Sequence, residues 1–220
     1  MEPVSVEQVH WLIKAFNDGG TAMYFIALTG LLTVFLIIER FIALHRLIVD
    51  KDDFVSKVFP QILNGNIREA IMICEDKNAP LPNTVKEGLK QVLNRRPDEE
   101  VQVALDGAVL EETPRLEGLT PMLAVSGNVA TLIGLLGTVI GLIIGFSAVS
   151  QADAAQKAEL LSQGISHALN CTAAGLAVAI PALLAYGFYQ LRIGKAINDM
   201  QETSMKIMNL VVSNRDKLKS

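Results

Sequence analysis

Charge is scarce in this chain. Only 19% of its 220 residues are Asp, Glu, Lys or Arg, half are hydrophobic, and the mean hydropathy is +0.36. That is too apolar for an ordinary soluble domain of this length, and a membrane protein is the first expectation. The net charge of −4, with no strongly basic patch, removes nucleic acid from the expected partners. There are two cysteines, Cys74 and Cys171, far apart and without metal-ligand or CxxC spacing, so both read as buried or free thiols. No phosphate loop, nucleophile elbow or metal-ligand cluster occurs, so neither an enzyme nor a cofactor is expected. Internal repeats and low-complexity segments are also missing. The leader has an acidic start and no small-residue cleavage site, which argues against a removable signal peptide.

What is present is a set of long uncharged runs. Residues 1–20 form a leader with Ser5 as N-cap, Val6, Val9, Ile13 and Phe16 at helical spacing and Trp11 among them, as in an amphipathic helix at a membrane surface. Residues 21–38 carry no charge and, at about 18 residues, are just long enough to cross a hydrocarbon core of roughly 30 Å. Residues 39–120 switch to a soluble helical composition, with amphipathic stretches near Phe54–Leu63, Ile67–Cys74 and Thr84–Leu93 and turns at Asn64-Gly65-Asn66, Ala79-Pro80-Leu81-Pro82 and Arg95-Arg96-Pro97-Asp98. Asp98-Glu99-Glu100 suits a helix N-terminus.

Two further spans are expected at 121–150 and 164–191, joined by a short turn at 151–163 and followed by a helical tail at 192–220. Lysine and arginine gather after the first span (Arg40, Arg46, Lys51, Lys57) and after the last (Arg192, Lys195, Lys206), whereas the leader and the turn hold only Lys14 and Lys157. The N-terminus and the turn are therefore expected outside, and the 39–120 region and the tail in the cytoplasm. The fold class is an all-α membrane protein whose long second and third membrane helices extend into a cytoplasmic helical bundle.

The hairpin from Asn128 to Pro181 carries the chemistry. Gly134, Gly137, Gly141 and Gly145 recur at spacings of three and four, one stripe of a helix. The third span answers with Ala168, Cys171, Gly175, Ala179 and Ala182. Small residues of this kind let membrane helices approach closely, so packing is the first reading of the glycines. Thr138 lies 17 residues before Ala155 and Thr172 lies 17 after it, so an antiparallel hairpin brings both hydroxyls to one depth. Either threonine alone is explained by a bond to its own backbone; as a pair they also suit a hydroxyl-lined step for a proton or cation. His167 and Asn170, three apart near the outer end of the third span, suit a proton relay or a polar contact at the membrane surface. His167 and Thr172 stand about 140° apart around a helix, so one of the two is expected to face a neighbouring subunit. No Asp or Glu lies in any span, so a carboxylate for proton transfer has to come from another chain.

Gly134-Leu135-Leu136-Gly137-Thr138-Val139-Ile140-Gly141, Gly164-Ile165 with Ala168-Leu169, Thr172-Ala173-Ala174-Gly175-Leu176 through Ala179-Ile180-Pro181, and Glu39-Arg40 after the first span together resemble the MotA/TolQ/ExbB proton-channel family on its three-span side. The resemblance implies an inner-membrane stator subunit. It implies a homopentamer around a dimer of single-span ExbD/TolR-like partners that carry the missing membrane aspartate, with ion flow driving a cell-envelope process. Thr138 and Thr172 match the two threonines of the family's proton route. His167 stands where many relatives have glutamate, and Thr131 where many have proline.

Two other functions compete. An oligomeric scaffold held together by its glycine stripes would move no ion. A self-contained small transporter would need a membrane carboxylate and inverted repeats, and the chain has neither.

Overall fold

The computed structural model describes residues 20–214; the expected leader helix with Ser5 and Trp11 and the basic end of the tail lie outside the described residues. Seven helices follow in order, with no strand among the described residues: α1 (Gly20–Leu47), α2 (Lys51–Leu63), α3 (Ile67–Glu75), α4 (Pro80–Leu93), α5 (Asp98–Glu117), α6 (Thr120–Gln151) and α7 (Lys157–Ser213). Three of them, α1, α6 and α7, are long and apolar enough to cross a membrane. The chain divides into two units, one of residues 20–38 and 121–187, the other of residues 39–120 and 188–214.

The second unit packs its large apolar side chains inward. Asp50 caps α2, its carboxylate accepting the backbone N–H of Asp52 at 3.0 Å and of Asp53 at 3.5 Å. Pro80 opens α4, where its missing N–H costs nothing. Asp98, Glu99 and Glu100 fill the first turn of α5, complementing the helix dipole. Each of α2 to α5 packs on the next, burying Val58, Ile62, Ala70, Cys74, Val85, Leu89, Val101, Leu105 and Leu116, with Ile193, Met200, Ile207 and Val211 of α7 buried as well. Cys74 is inert in this setting, since burial pushes its thiol up to about 12. An ion network also joins α2 to α7: Lys51 Nζ lies 3.0 Å from Asp199 Oδ1 and 2.9 Å from Glu202 Oε2, and Lys206 reaches Glu202 at 2.6 Å.

Between α5 and α6 the chain turns at Gly118, whose φ of 42° lies in the region that favours glycine. Arg40 packs against this turn: a Cβ on Gly118 would collide with the Arg40 guanidinium. Arg40 is buried and donates from Nε and Nη2 to both oxygens of its neighbour Glu39 at 2.5 Å, while its buried Nη1 has no hydrogen-bond partner among the described residues. The hydrogen bond from Arg40 holds the Glu39 carboxyl below the usual carboxylate range.

The first unit is built the other way round. Its interior is made largely of small side chains (Ala130, Ala168, Cys171, Ala179, Ala182), while Phe25, Leu28, Leu31, Phe35, Leu132, Leu135, Leu136 and Ile143 point outward. Only 22% to 28% of the most apolar window of each membrane-length segment is buried within the chain. Most of that apolar surface is thus left for lipid or for other chains, as expected where helix contact depends on close packing rather than on escape from water. One polar contact ties α1 to α6. Thr33 Oγ1 lies 3.1 Å from Ser126 Oγ, Ser126 donates to Leu123 O at 2.9 Å, and both residues are buried.

Candidate functional site

The site is the contact between α6 and α7 in the first unit. It rests on glycine: a Cβ on Gly134 would meet Cys171 O at 3.0 Å and Gly175 Cα at 3.2 Å, and one on Gly175 would meet Ala130 O at 2.7 Å. Further along, a Cβ on Gly145 would lie 2.9 Å from Gly164 Cα. Backbone meets backbone at these places, which any side chain would prevent. Gly137 lies against the Cys171 side chain, and Gly141 against His167 and the backbone of Ala168. Gly164, Ala168, Cys171 and Gly175 thus form the α7 side of the seam, at spacings of four, three and four.

The close approach brings Thr138 and Thr172 together. Their hydroxyls are hydrogen-bonded to each other. Thr138 Oγ1 also lies 3.0 Å from Ala168 O and 3.1 Å from Gly134 O, and Thr172 Oγ1 lies 3.5 Å from Gly134 O. Two hydroxyls and two carbonyls therefore make a cluster in which each O–H has an acceptor and the threonine oxygens keep lone pairs for a further donor. Both threonines are half-buried, so the cluster reaches the edge of the helix pair.

His167 lies on the other edge of the seam. Its ring is beside Gly141 of α6 and beside Gly20 at the start of α1, where a Cβ would come within 2.6 Å and 2.8 Å of it. The angular separation from Thr172 holds, but neither residue turns away: His167 and Thr172 flank the small-residue seam from opposite sides, and both approach α6. His167 also borders an open cavity of about 730 Å³ whose polar lining includes Ser162, Gln163 and Ser166, and whose apolar lining includes Ile144 and Leu160. Asn170 is half-buried and forms no hydrogen bond to Thr138, Thr172 or His167. Thr131 is exposed and donates to Gly127 O at 3.1 Å in its own helix.

Two polar features escaped sequence reasoning. The Thr33–Ser126 contact joins segments 93 residues apart, and its only trace in the sequence is a pair of hydroxyl residues in otherwise apolar runs. The packing of Arg40 on Gly118 has no sequence cue beyond the Glu-Arg dipeptide and a lone glycine. Among the described residues no group of three or more His, Cys, Asp or Glu side chains is placed to hold a metal ion.

Comparison with known proteins gives the same region. The chain is 40% identical over 96 residues to the Tol-Pal system protein TolQ of Haemophilus influenzae, a match covering 44% of this chain and 42% of that one. It is 33% identical over 157 residues to the biopolymer transport protein ExbB-like 3 of Synechocystis sp., covering 70% and 73%. It is 30% identical over 131 residues to the biopolymer transport protein ExbB of Pseudomonas putida, covering 60% and 37%. The TolQ and ExbB matches therefore span less than half of those proteins. Residues 76–202, more than half of the chain and including both threonines and the whole glycine seam, match the MotA/TolQ/ExbB proton channel family. With three helices able to cross a membrane, the chain is a multi-pass membrane protein belonging to the MotA/TolQ/ExbB proton channel family.

Proposed function

We propose that the chain is a stator subunit of a proton-driven motor in a bacterial inner membrane. In this reading α1, α6 and α7 span the membrane at 21–38, 121–150 and 164–191, the N-terminus and the 151–163 turn are periplasmic, and 39–120 and 192–220 are cytoplasmic. Five copies surround a dimer of a single-span ExbD/TolR-like partner, and the motion energises an envelope process. The observation that carries the reading is the Thr138–Thr172 cluster, a pair of bonded hydroxyls in the apolar part of a chain whose spans contain no carboxylate. The similarity to proteins named for the Tol-Pal system and for biopolymer transport supports an envelope role.

The chemistry runs as follows. A carboxylate on the partner helix takes a proton from the outer side, loses its charge, and passes the apolar walls of α6 and α7. Thr138 and Thr172 lower the cost of the exposed carboxylate by hydrogen bonding. His167, at the rim of the outer cavity with Asn170 near it, holds or relays the proton on entry. Each charge crossing supplies about 2.3 kcal/mol per 100 mV, so several crossings power one mechanical step.

The scaffold reading has its own support in the backbone contacts of Gly134, Gly145, Gly164 and Gly175. The double variant Thr138→Val, Thr172→Val separates the two. The motor reading expects complexes of normal assembly that no longer drive the ion-dependent process; intact ion-driven function in such complexes would remove the role given to the threonines.

A further inference from the structure

One helix of the second unit stands apart in charge. Of the 20 residues of α5, seven are acidic and one, Arg115, is basic. Its outer side carries an apolar stripe: Val103 (72% exposed), Gly107, Leu110 (74% exposed) and Pro114 follow at spacings of four, three and four, opposite the buried Val101, Leu105 and Ala108. At about 100° per residue, Glu99, Asp106 and Glu117 run along one edge of the stripe and Glu100 and Glu111 along the other, all within about 80° of its centre. No basic residue of α5 shares this sector. Arg115 is turned away, donating to Asn78 Oδ1 at 3.0 Å and to Glu112 Oε2 at 3.2 Å.

Neighbouring cations reach one edge only. Arg96 lies 3.6 Å from Glu100, and Lys77 and Lys86 border a pocket with Glu111. On the other edge Glu99, Asp106 and Glu117 form no ion pair among the described residues. Carboxylates aligned in this way repel one another, and a cationic occupant relieves the repulsion. The shape suits a helix. Nothing in the chain lies within 4 Å of the place a Gly107 Cβ would take, so a second backbone can come close at the middle of the stripe. Beside Val103 an open groove of about 370 Å³, lined also by Gln91, Glu99, Glu100 and Ala104, takes one large apolar side chain.

Lipid is a poor cover, because the acidic edges repel anionic headgroups. A second copy has no matching surface to offer. Each of α2, α3, α4 and the part of α7 in this unit mixes both signs, and several of their cations are already paired, Lys57 with Asp53, Lys90 with Glu87 and Lys206 with Glu202.

We propose that the α5 stripe docks a cationic amphipathic helix of a different protein. Apolar side chains three and four apart on that helix lie on Val103 and Leu110, the two backbones come closest at Gly107, and Lys or Arg on both flanks meet the acidic edges. The surface is separate from the threonine cluster, and the inference does not depend on ion flow.

The probe is a photoreactive benzophenone side chain placed at Val103 or at Leu110 of the full-length chain in the cells that produce it. Irradiated adducts are digested and the linked peptides sequenced by mass. The expected result is an adduct with another protein whose linked peptide carries Lys or Arg on both sides of its apolar residues. Glu99→Lys and Asp106→Lys, made separately, should each lower the adduct per chain by about fivefold, the scale of reversing an exposed ion pair. Glu69→Lys, a charge reversal elsewhere on the unit, should leave it unchanged. An adduct with a second copy, with another stretch of the same chain, with lipid or with a peptide poor in Lys and Arg overturns the proposal. So does the absence of any adduct at both positions, or an adduct that neither Glu99→Lys nor Asp106→Lys lowers.

Discussion

The hydroxyls of Thr138 and Thr172 are bonded to each other across the α6–α7 seam, from positions equidistant in sequence from Ala155. The bond depends on the glycines next to it, since the helices meet through Gly134 and Gly175 one turn away. Packing and polarity are thus two aspects of one contact, and substitutions can separate them.

Hydroxyl loss should hardly affect folding. Side-chain hydrogen bonds between membrane helices average about 0.6 kcal/mol, and Thr→Val preserves shape. Thr138→Val and Thr172→Val, made singly, are expected to change the thermal unfolding of the detergent-solubilised protein by no more than about that amount. Thr138→Ser and Thr172→Ser keep the O–H and should retain ion-driven function where the valine variants lose it. A large loss of stability in either valine variant would make the pair a structural clamp.

Glycine substitution should act in the opposite sense, and unevenly. A Cβ on Gly175 would press within 2.7 Å of the Ala130 carbonyl, part of a backbone that cannot turn aside, whereas one on Gly137 presses mainly on the Cys171 and Ala22 side chains. Gly175→Ala is expected to cost about 1–3 kcal/mol, the usual range for overpacking, and Gly137→Ala less. Comparing unfolding temperatures and oligomer yield of the two variants checks the ranking.

The parts of this site legible in the sequence are those fixed by local periodicity. The glycine stripe follows from spacings of three and four, and the depth match of the threonines from the short connection, because a tight antiparallel hairpin leaves little freedom of register. The position of α1 is another matter. Its contact with α6 through Thr33 and Ser126 spans 93 residues and no short loop fixes it, so propensity and pattern carry no information about it. His167 shows a subtler limit. Its angle from Thr172 was readable, but the seam has two edges, and a residue at either edge still touches the neighbouring helix. In the second unit, turns and the acidic run at Asp98-Glu99-Glu100 announced the helices, while the wedge of Arg40 against Gly118 came only from the fold.

Arg40 supplies a prediction of its own. Its side chain is 8% exposed and depends on Glu39, which is 30% exposed. Removing Glu39 leaves a buried, unpaired cation; removing Arg40 leaves a carboxylate that can reach water. Glu39→Leu should therefore cost about 3–5 kcal/mol, as for other broken buried ion pairs, and Arg40→Met clearly less. The double variant Glu39→Leu, Arg40→Met should recover much of the first loss. Equal damage from both single variants in chemical unfolding would count against the asymmetry.

Acid should loosen α2 from α7. Hydrogen bonds from Lys206 and then from Lys51 hold the Glu202 carboxyl at about 2, against an ordinary 4.5. Because the folded value is depressed, the contribution of this group to stability is complete above 4.5 and is lost as the pH falls toward 2. Lys51 is shifted the other way, its ammonium stabilised by Glu202 and then Asp199, so its contribution is complete below 10.5 and fades only in strong base. Acid titration therefore reports on the carboxylate. In the detergent-solubilised protein, cleavage by an acid-active protease at the α2 end should rise as pH drops through this window. Glu202→Gln should raise cleavage by a neutral-active protease already at neutral pH and flatten the acid response. These side chains are water-exposed, so added salt should mimic the substitution. A cleavage profile unchanged by both Glu202→Gln and salt would show that the network does not hold the two helices together.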